Sequence, residues 1–245
     1  MASKIISTRF LSAAAALAVV LLMVCAPVHA KPFRWAFQSD AGSMDPYTMN
    51  NTMTLGFTGN VYEGLVRHDK NEAIEPCLAT EWKTVKPDVW RFNLRKNVTF
   101  HDGTPFTAED VIFSWKRAIS QGSDMKSFVN GIKDILKVDD HTVDIVTHGP
   151  WPLLPNDVFR WYIMSKKWCE ENDAVQVAEF KTAKENYATR HANGTGPFML
   201  KSREPQVKTV MVPFPNWWDK RVDNVAEADF TVIKSDATRI ASLLS

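Results

Sequence analysis

The sequence predicts a mixed α/β fold, on three observations. Apolar and polar residues alternate in short runs, as at Phe33, Trp35 and Phe37 or at Trp90, Phe92 and Leu94, which is the two-residue period of a half-buried strand. Between such runs stand helical stretches. The clearest opens at Thr107, whose hydroxyl stands just before the carboxylates of Glu109 and Asp110 in the pattern of a helix cap. Turn signals such as Asp45-Pro46 and His101-Asp102-Gly103-Thr104-Pro105 punctuate the elements.

The first residues stand apart from that pattern. Lys4 and Arg9 give a basic start, Ala13 to Ala26 is apolar and uncharged, and Val28-His29-Ala30 offers small residues at the positions a signal peptidase reads. Residues 1–30 are therefore expected to be a secretory signal peptide cleaved after Ala30. The rival is a lipid anchor on Cys25, but Val24 sits where a lipobox needs a small residue. The apolar run is short for a bilayer span, and no later run is longer. Without Lys4 and Arg9 the 29 basic residues fall to 27 against 28 acidic, a net charge of −1. That balance makes no electrostatic case for nucleic acid or an anionic membrane. Cys77 and Cys169 are too few for a disulfide scaffold, and spacing alone leaves open whether they pair.

The remaining elements follow in order. Phe33 to Phe37 reads as a strand, and Asp40 to Asp45 as a loop. A helix is expected near Thr52 to Gly64, with Met53, Phe57 and Val61 on one face. Leu65 to Ile74 reads as a hairpin around Asp69-Lys70-Asn71. Trp82–Val85 and Val89–Arg95 read as strands paired across Lys86-Pro87-Asp88. In the helix after Thr107, Val111, Ile112, Trp115, Ala118 and Ile119 are expected to form the buried stripe. Ile132–Val138 and Thr142–Thr147 make a second hairpin, and Pro150 to Pro155 interrupts the pattern. Lys166 to Arg190, polar and charged, is expected to be mostly helical. Strands follow at Phe198–Lys201, Val207–Val212 and Ala228–Ile233. Ser235 or Asp236 then caps a helix with Ile240, Leu243 and Leu244 on one side. Neither cap nor glycine closes that helix before Ser245, the pattern expected of a chain cut short.

Catalytic and metal signatures are missing. His68, His101, His141, His148 and His191 are scattered and fall mostly in turns, where solvated side chains are expected. No His-Glu-x-x-His, Cys-x-x-Cys, Gly-x-Ser-x-Gly or phosphate-cradling glycine loop occurs. No metal, cofactor or catalytic residue is therefore expected. The nine tryptophans are many; some could line a groove, but most should be core.

Three segments carry a resemblance. They are Tyr62-Glu63-Gly64-Leu65-Val66; the run from Leu78-Ala79-Thr80-Glu81-Trp82 through Trp90–Arg95 to Phe100–Val111; and Gly194-Thr195-Gly196-Pro197-Phe198 followed by Asn216-Trp217-Trp218. In this order they resemble the family-5 extracellular solute-binding proteins, the oligopeptide- and dipeptide-binding components of ABC importers. The resemblance implies a two-lobed periplasmic-binding-protein-like trap of type II with an extra subdomain, of which this chain holds the first lobe and that subdomain. Residues 31–66 would begin the first lobe, 67–193 form the extra subdomain, and 194–245 return to the first lobe. It implies a monomer in the periplasm that captures a peptide or similar small solute and delivers it to membrane permease subunits. Relatives that capture opines, oligosaccharides or nickel chelates supply the alternative; a secreted hydrolase is a distant one.

By the same resemblance, the loop after the first strand reaches the cleft. Its counterparts here are Ser43, Met44 and Asp45, followed by Asn50, Asn51 and Thr52, whose short polar side chains suit backbone-like hydrogen bonds. Asn51 or Thr52 is equally suited to cap the next helix. Phe128 is a further lining candidate, with the core as its other place. Gly194 and Gly196 are expected to serve a tight backbone path between subdomains.

Overall fold

A computed structural model describes residues 31–182 and 184–244. The expected leader, with its choice between Ala30 and Cys25, lies outside the described residues. The chain runs β1 (Lys31–Phe37), α1 (Thr52–Val61), β2 (Val66–His68), β3 (Ile74–Pro76), β4 (Ala79–Lys86) and β5 (Val89–Leu94). It continues through α2 (Ala108–Ala118), β6 (Ile132–Asp139), β7 (Thr142–Thr147), α3 (Leu154–Asp157), α4 (Lys166–Glu171) and α5 (Tyr187–Arg190). It closes with β8 (Phe198–Glu204), β9 (Lys208–Pro213), β10 (Val225–Val232) and α6 (Asp236–Leu244).

The strands form two four-stranded sheets, ordered β1-β10-β9-β8 and β4-β5-β7-β6, and the small hairpin β2-β3. In the first sheet Phe230 pairs with Thr209 and Ala228 with Met211, so one face presents Phe230 and Met211. The ring of Phe57 from α1 meets Phe230 edge-on at 4.8 Å, and Trp35 of β1 lies 5.3 Å from Phe230. The opposite face carries solvated ion pairs, Lys208 with Asp229 and Lys201 with Glu227. In the second sheet Phe92 pairs with Val143, and Trp90 with Ile145, which pairs in turn with Ile135. That row is mostly buried, and α2 packs beside β6. Its other face holds Arg91 forked onto Asp144 at 2.7 and 2.8 Å.

Several expectations need correction. The helix expected to Gly64 ends at Val61, because Tyr62 turns extended and Glu63 is drawn into a buried contact. Along α2, Val111, Trp115 and Ala118 are buried, but Ile119 is 42% exposed. Its place is taken by Asp110, Ser114 and Arg117, all buried, at the i, i+4, i+7 spacing of one helix face. This polar stripe also explains why Lys166 to Arg190 is not mostly helical. Asp110 accepts from Lys166 N–H at 2.9 Å, Ser114 Oγ from Met164 N–H at 2.9 Å, and Arg117 donates to Ala174 C=O at 2.8 Å. The carbonyls of Ala174 and Val175, which a continuing helix would pair internally, are paired by Arg117 of α2. Among the described residues there, α4, a 3₁₀ turn at Phe180–Thr182 and α5 are helical.

Cys77 and Cys169 are both free and buried, and burial pushes the Cys169 thiol up to about 12. Ser235 Oγ accepts from Thr238 N–H at 3.3 Å at the start of α6, while Ile240, Leu243 and Leu244 are exposed.

Candidate functional site

The loop between β1 and α1 is pinned along its length. Asp40 is forked by Arg203 at 3.2 and 3.0 Å and also accepts from Gln206 N–H. Ser43 Oγ accepts from Asp45 N–H at 3.0 Å, and Met44 N–H donates to Thr189 C=O at 3.0 Å. Asp45 accepts from Arg117 through both oxygens, at 3.0 and 2.8 Å, and from Tyr47 N–H at 3.0 Å. Burial works against the Arg117 charge, but the Asp45 carboxylate outweighs it and holds the guanidinium above its ordinary range. Asn50 N–H donates to Asp124 at 2.8 Å, and Asn51 Oδ1 caps α1 by accepting from Thr54 N–H at 2.9 Å.

Ser43, Met44 and Asp45 are thus wholly buried, with their polar groups engaged inside the protein. Asn50 and Thr52 are exposed and Asn51 half-buried, so the loop meets solvent at its second half. There Thr48 and Met49, together with Ser123, Asp124, Glu179 and Phe180, border a depression of about 180 Å³. That is less than the roughly 300–1,000 Å³ of a pocket enclosing a small molecule, so it forms a wall, not an enclosure. Phe128 does not border it; the ring is half-buried against the core. Sequence reasoning missed Arg117, Asp124 and Phe180. For Arg117 a signal existed, the Asp110–Ser114–Arg117 stripe; for the other two none did.

The segments that carried the resemblance meet elsewhere. Glu63 is buried and accepts from Thr195 Oγ1 at 2.8 Å, Trp218 Nε1 at 2.8 Å and Trp217 Nε1 at 3.1 Å. Burial raises its carboxyl above the ordinary range against these three donors. Arg95 lies over the Trp218 ring at 3.9 Å. His101 is half-buried, not solvated: Gly194 N–H donates to its Nδ1 at 3.3 Å, and its Nε2 donates to Gly196 C=O at 3.0 Å. That pairing requires the neutral ring, and burial lowers its pKa to about 4. Asn193 and Asp102 exchange bonds at 3.1 and 2.8 Å. Gly196 N–H reaches Val61 C=O at 2.9 Å, and a Cβ on Gly194 would stand 1.9 Å from that oxygen. Only glycine fits so close an approach. Among the described residues no group of three or more metal-ligating side chains occurs.

Two sheets joined by such a clasp, with one helix-capping loop at the surface, are part of the α/β architecture of two-lobed periplasmic binding proteins of type II. The chain belongs to the bacterial extracellular solute-binding proteins, family 5, whose middle region matches residues 73–245. Among similar proteins is the periplasmic murein peptide-binding protein MppA of Escherichia coli, 26% identical over 219 residues, covering 82% of this chain and 39% of that protein. The periplasmic binding protein DppA of Helicobacter pylori, solved with the peptide STSA, matches with a TM-score of 0.74 at 26% identity. That match covers 86% of this chain and 44% of DppA. AgaA of A. tumefaciens R10, solved with agropinic acid, shares the fold with a TM-score of 0.76 at 19% identity, over 87% of this chain and 42% of AgaA. The chain therefore spans about two fifths of the length of these relatives.

Proposed function

We propose that this chain contributes one wall of a solute trap that captures peptides in the periplasm and delivers them to the permease subunits of an ABC importer. The observation that carries this reading is the loop leaving β1. Its first half is locked into the core, and its second half presents Asn50, Asn51 and Thr52 at the start of α1. Backbone N–H groups at a helix start, with short amides around them, suit the main chain that all peptides share. Similarity to peptide-binding relatives supports the ligand class. The division at residues 66 and 193, export with cleavage after Ala30, and a monomeric state belong to the same proposal. No helix among the described residues is long and apolar enough to cross a membrane.

An opine is the second reading, favoured by the fold shared with AgaA. Sugar stacking is less supported. Each of the tryptophans is packed on the core or bonded to Glu63, and the exposed ring at the depression is a single phenylalanine, Phe180.

A trap buries its solute from two sides, and this chain holds one. Losing a buried charged hydrogen bond across a site costs roughly 2–5 kcal/mol, more than about tenfold in affinity. Residues 31–245 are therefore expected to bind tripeptides very weakly when titrated by calorimetry beside a full-length relative. Tight binding by these residues alone would overturn the two-sided reading. Intact mass of exported protein tests the rest: Lys31 should be the first residue, and a diacylglycerol on Cys25 would contradict it.

A further inference from the structure

Three pieces of chain border the depression at the loop: Thr48–Met49, the stretch after α2 at Gln121–Asp124, and Glu179–Lys181. They are remote in sequence, and each leads within a few residues to a single side chain. Arg117 Nη1 and Nη2 fork onto Asp45, three residues before Thr48. Arg117 itself ends the polar stripe of α2, just before Gln121. Its Nη2 and Nε also donate to the carbonyls of Ala174, at 2.8 Å, and Val175, at 3.1 Å, ahead of Glu179. Arg117 and Asp45 are 2% and 0% exposed, so neither can meet a solute directly.

We propose that Arg117 is the positioning residue of the solute-facing wall, holding the three bordering segments in register through one guanidinium. The chemistry fits arginine and no other side chain. A planar fork satisfies both carboxylate oxygens and still has donors left for carbonyls on a second side. Lysine keeps the charge but cannot span both. A buried ion pair of this kind adds little net stability over an apolar replacement. Its distinctive contribution is to fix where the loop lies. Secondary bonds complete the register: Asn50 N–H to Asp124 at 2.8 Å, and Asp124 N–H to Tyr47 C=O at 2.9 Å.

The solute-facing role rests on the proposed function, but the positioning is testable without any solute. Amide hydrogen exchange would be followed in the 245-residue chain and in Arg117→Lys and Asp45→Asn. Both variants should speed exchange at least about tenfold across residues 45–54, the loss expected for one charge-assisted hydrogen bond. Residues 174–181 should speed up in Arg117→Lys alone, because Asp45→Asn leaves the guanidinium on its carbonyls. Amides of β5 and β7 should be unchanged in both. A uniform rise over the whole chain, or no change at residues 45–54, would overturn the inference whether or not the chain binds a tripeptide. If Arg117→Lys does not fold, the split between the two segments in Asp45→Asn still decides it.

Discussion

The clasp around Glu63 and the loop around Asp45 are both buried polar centres, built in opposite ways. Glu63 receives three neutral donors from segments more than a hundred residues away, and no cation bonds it. Asp45 receives a full guanidinium and forms a formal ion pair. Glu63 is accordingly raised by burial, whereas Arg117 keeps its charge because Asp45 neutralises it. The clasp is made almost entirely of residues in recognisable segments. The loop borders the depression, yet its partners Arg117 and Asp124 belong to no motif tied to it. Signature residues here mark where a discontinuous chain closes on itself.

If the ion pair fixes the loop, its rupture should be the costliest single change. Asp45→Ala leaves Arg117 buried without its carboxylate and should lose about 3–5 kcal/mol, read from urea unfolding. A loss below that of Gly194→Ala would reverse the ranking of the two centres. Gly194→Ala comes next, because its Cβ would overlap Val61 C=O and force the strap outward, at about 3 kcal/mol. Thermal unfolding should show Gly196→Ala milder, since its Cβ would stand 2.8 Å from the same oxygen.

Acid should separate the centres further. His101 has a folded pKa near 4, below its ordinary 6.5. Between these values the unfolded chain binds more protons, so stability falls as pH falls through that window. The ring keeps some solvent contact, so the loss should be about 2 kcal/mol, less than the full shift implies. Glu63 works the other way: its raised pKa means that stability falls as pH rises above 4.5 toward its folded value. Unfolding of wild type and His101→Gln from pH 7 to 4 isolates the histidine. Parallel curves would mean that the ring is not held neutral by the strap.

The smallest effect lies at the α2 cap. Thr107 Oγ1 accepts from Glu109 N–H at 3.3 Å, and Asp110 accepts from Thr107 N–H at 2.8 Å. Thr107→Ala should cost about 1 kcal/mol in unfolding free energy, and no change would remove the cap from the list of contributors.

That cap was legible because a cap, like a strand's alternation, is written within a few adjacent residues. The strands at Trp90–Leu94 and Ile132–Thr147 were legible for the same reason. Residues 166–190 were not. Their composition allows a helix, but Arg117 on α2, 57 positions before Ala174, satisfies the carbonyls of Ala174 and Val175 instead. In the candidate site, Asn51 was readable as a cap. The burial of Asp45 was not, since its partner lies 72 positions away and charged residues are ordinarily exposed.

The strand order of the first sheet has a consequence for the time course of folding. The second sheet draws all its strands from residues 79–147, and short turns join β4 to β5 and β6 to β7. The first sheet sets β1 beside β10, so its outer pairing must wait for residues 225–232 to arrive and for the largest loop in the molecule to close. Refolding should therefore be biphasic. Pulse labelling should find β5 and β7 protected before β1, and simultaneous protection would show that the long closure is not the slow event.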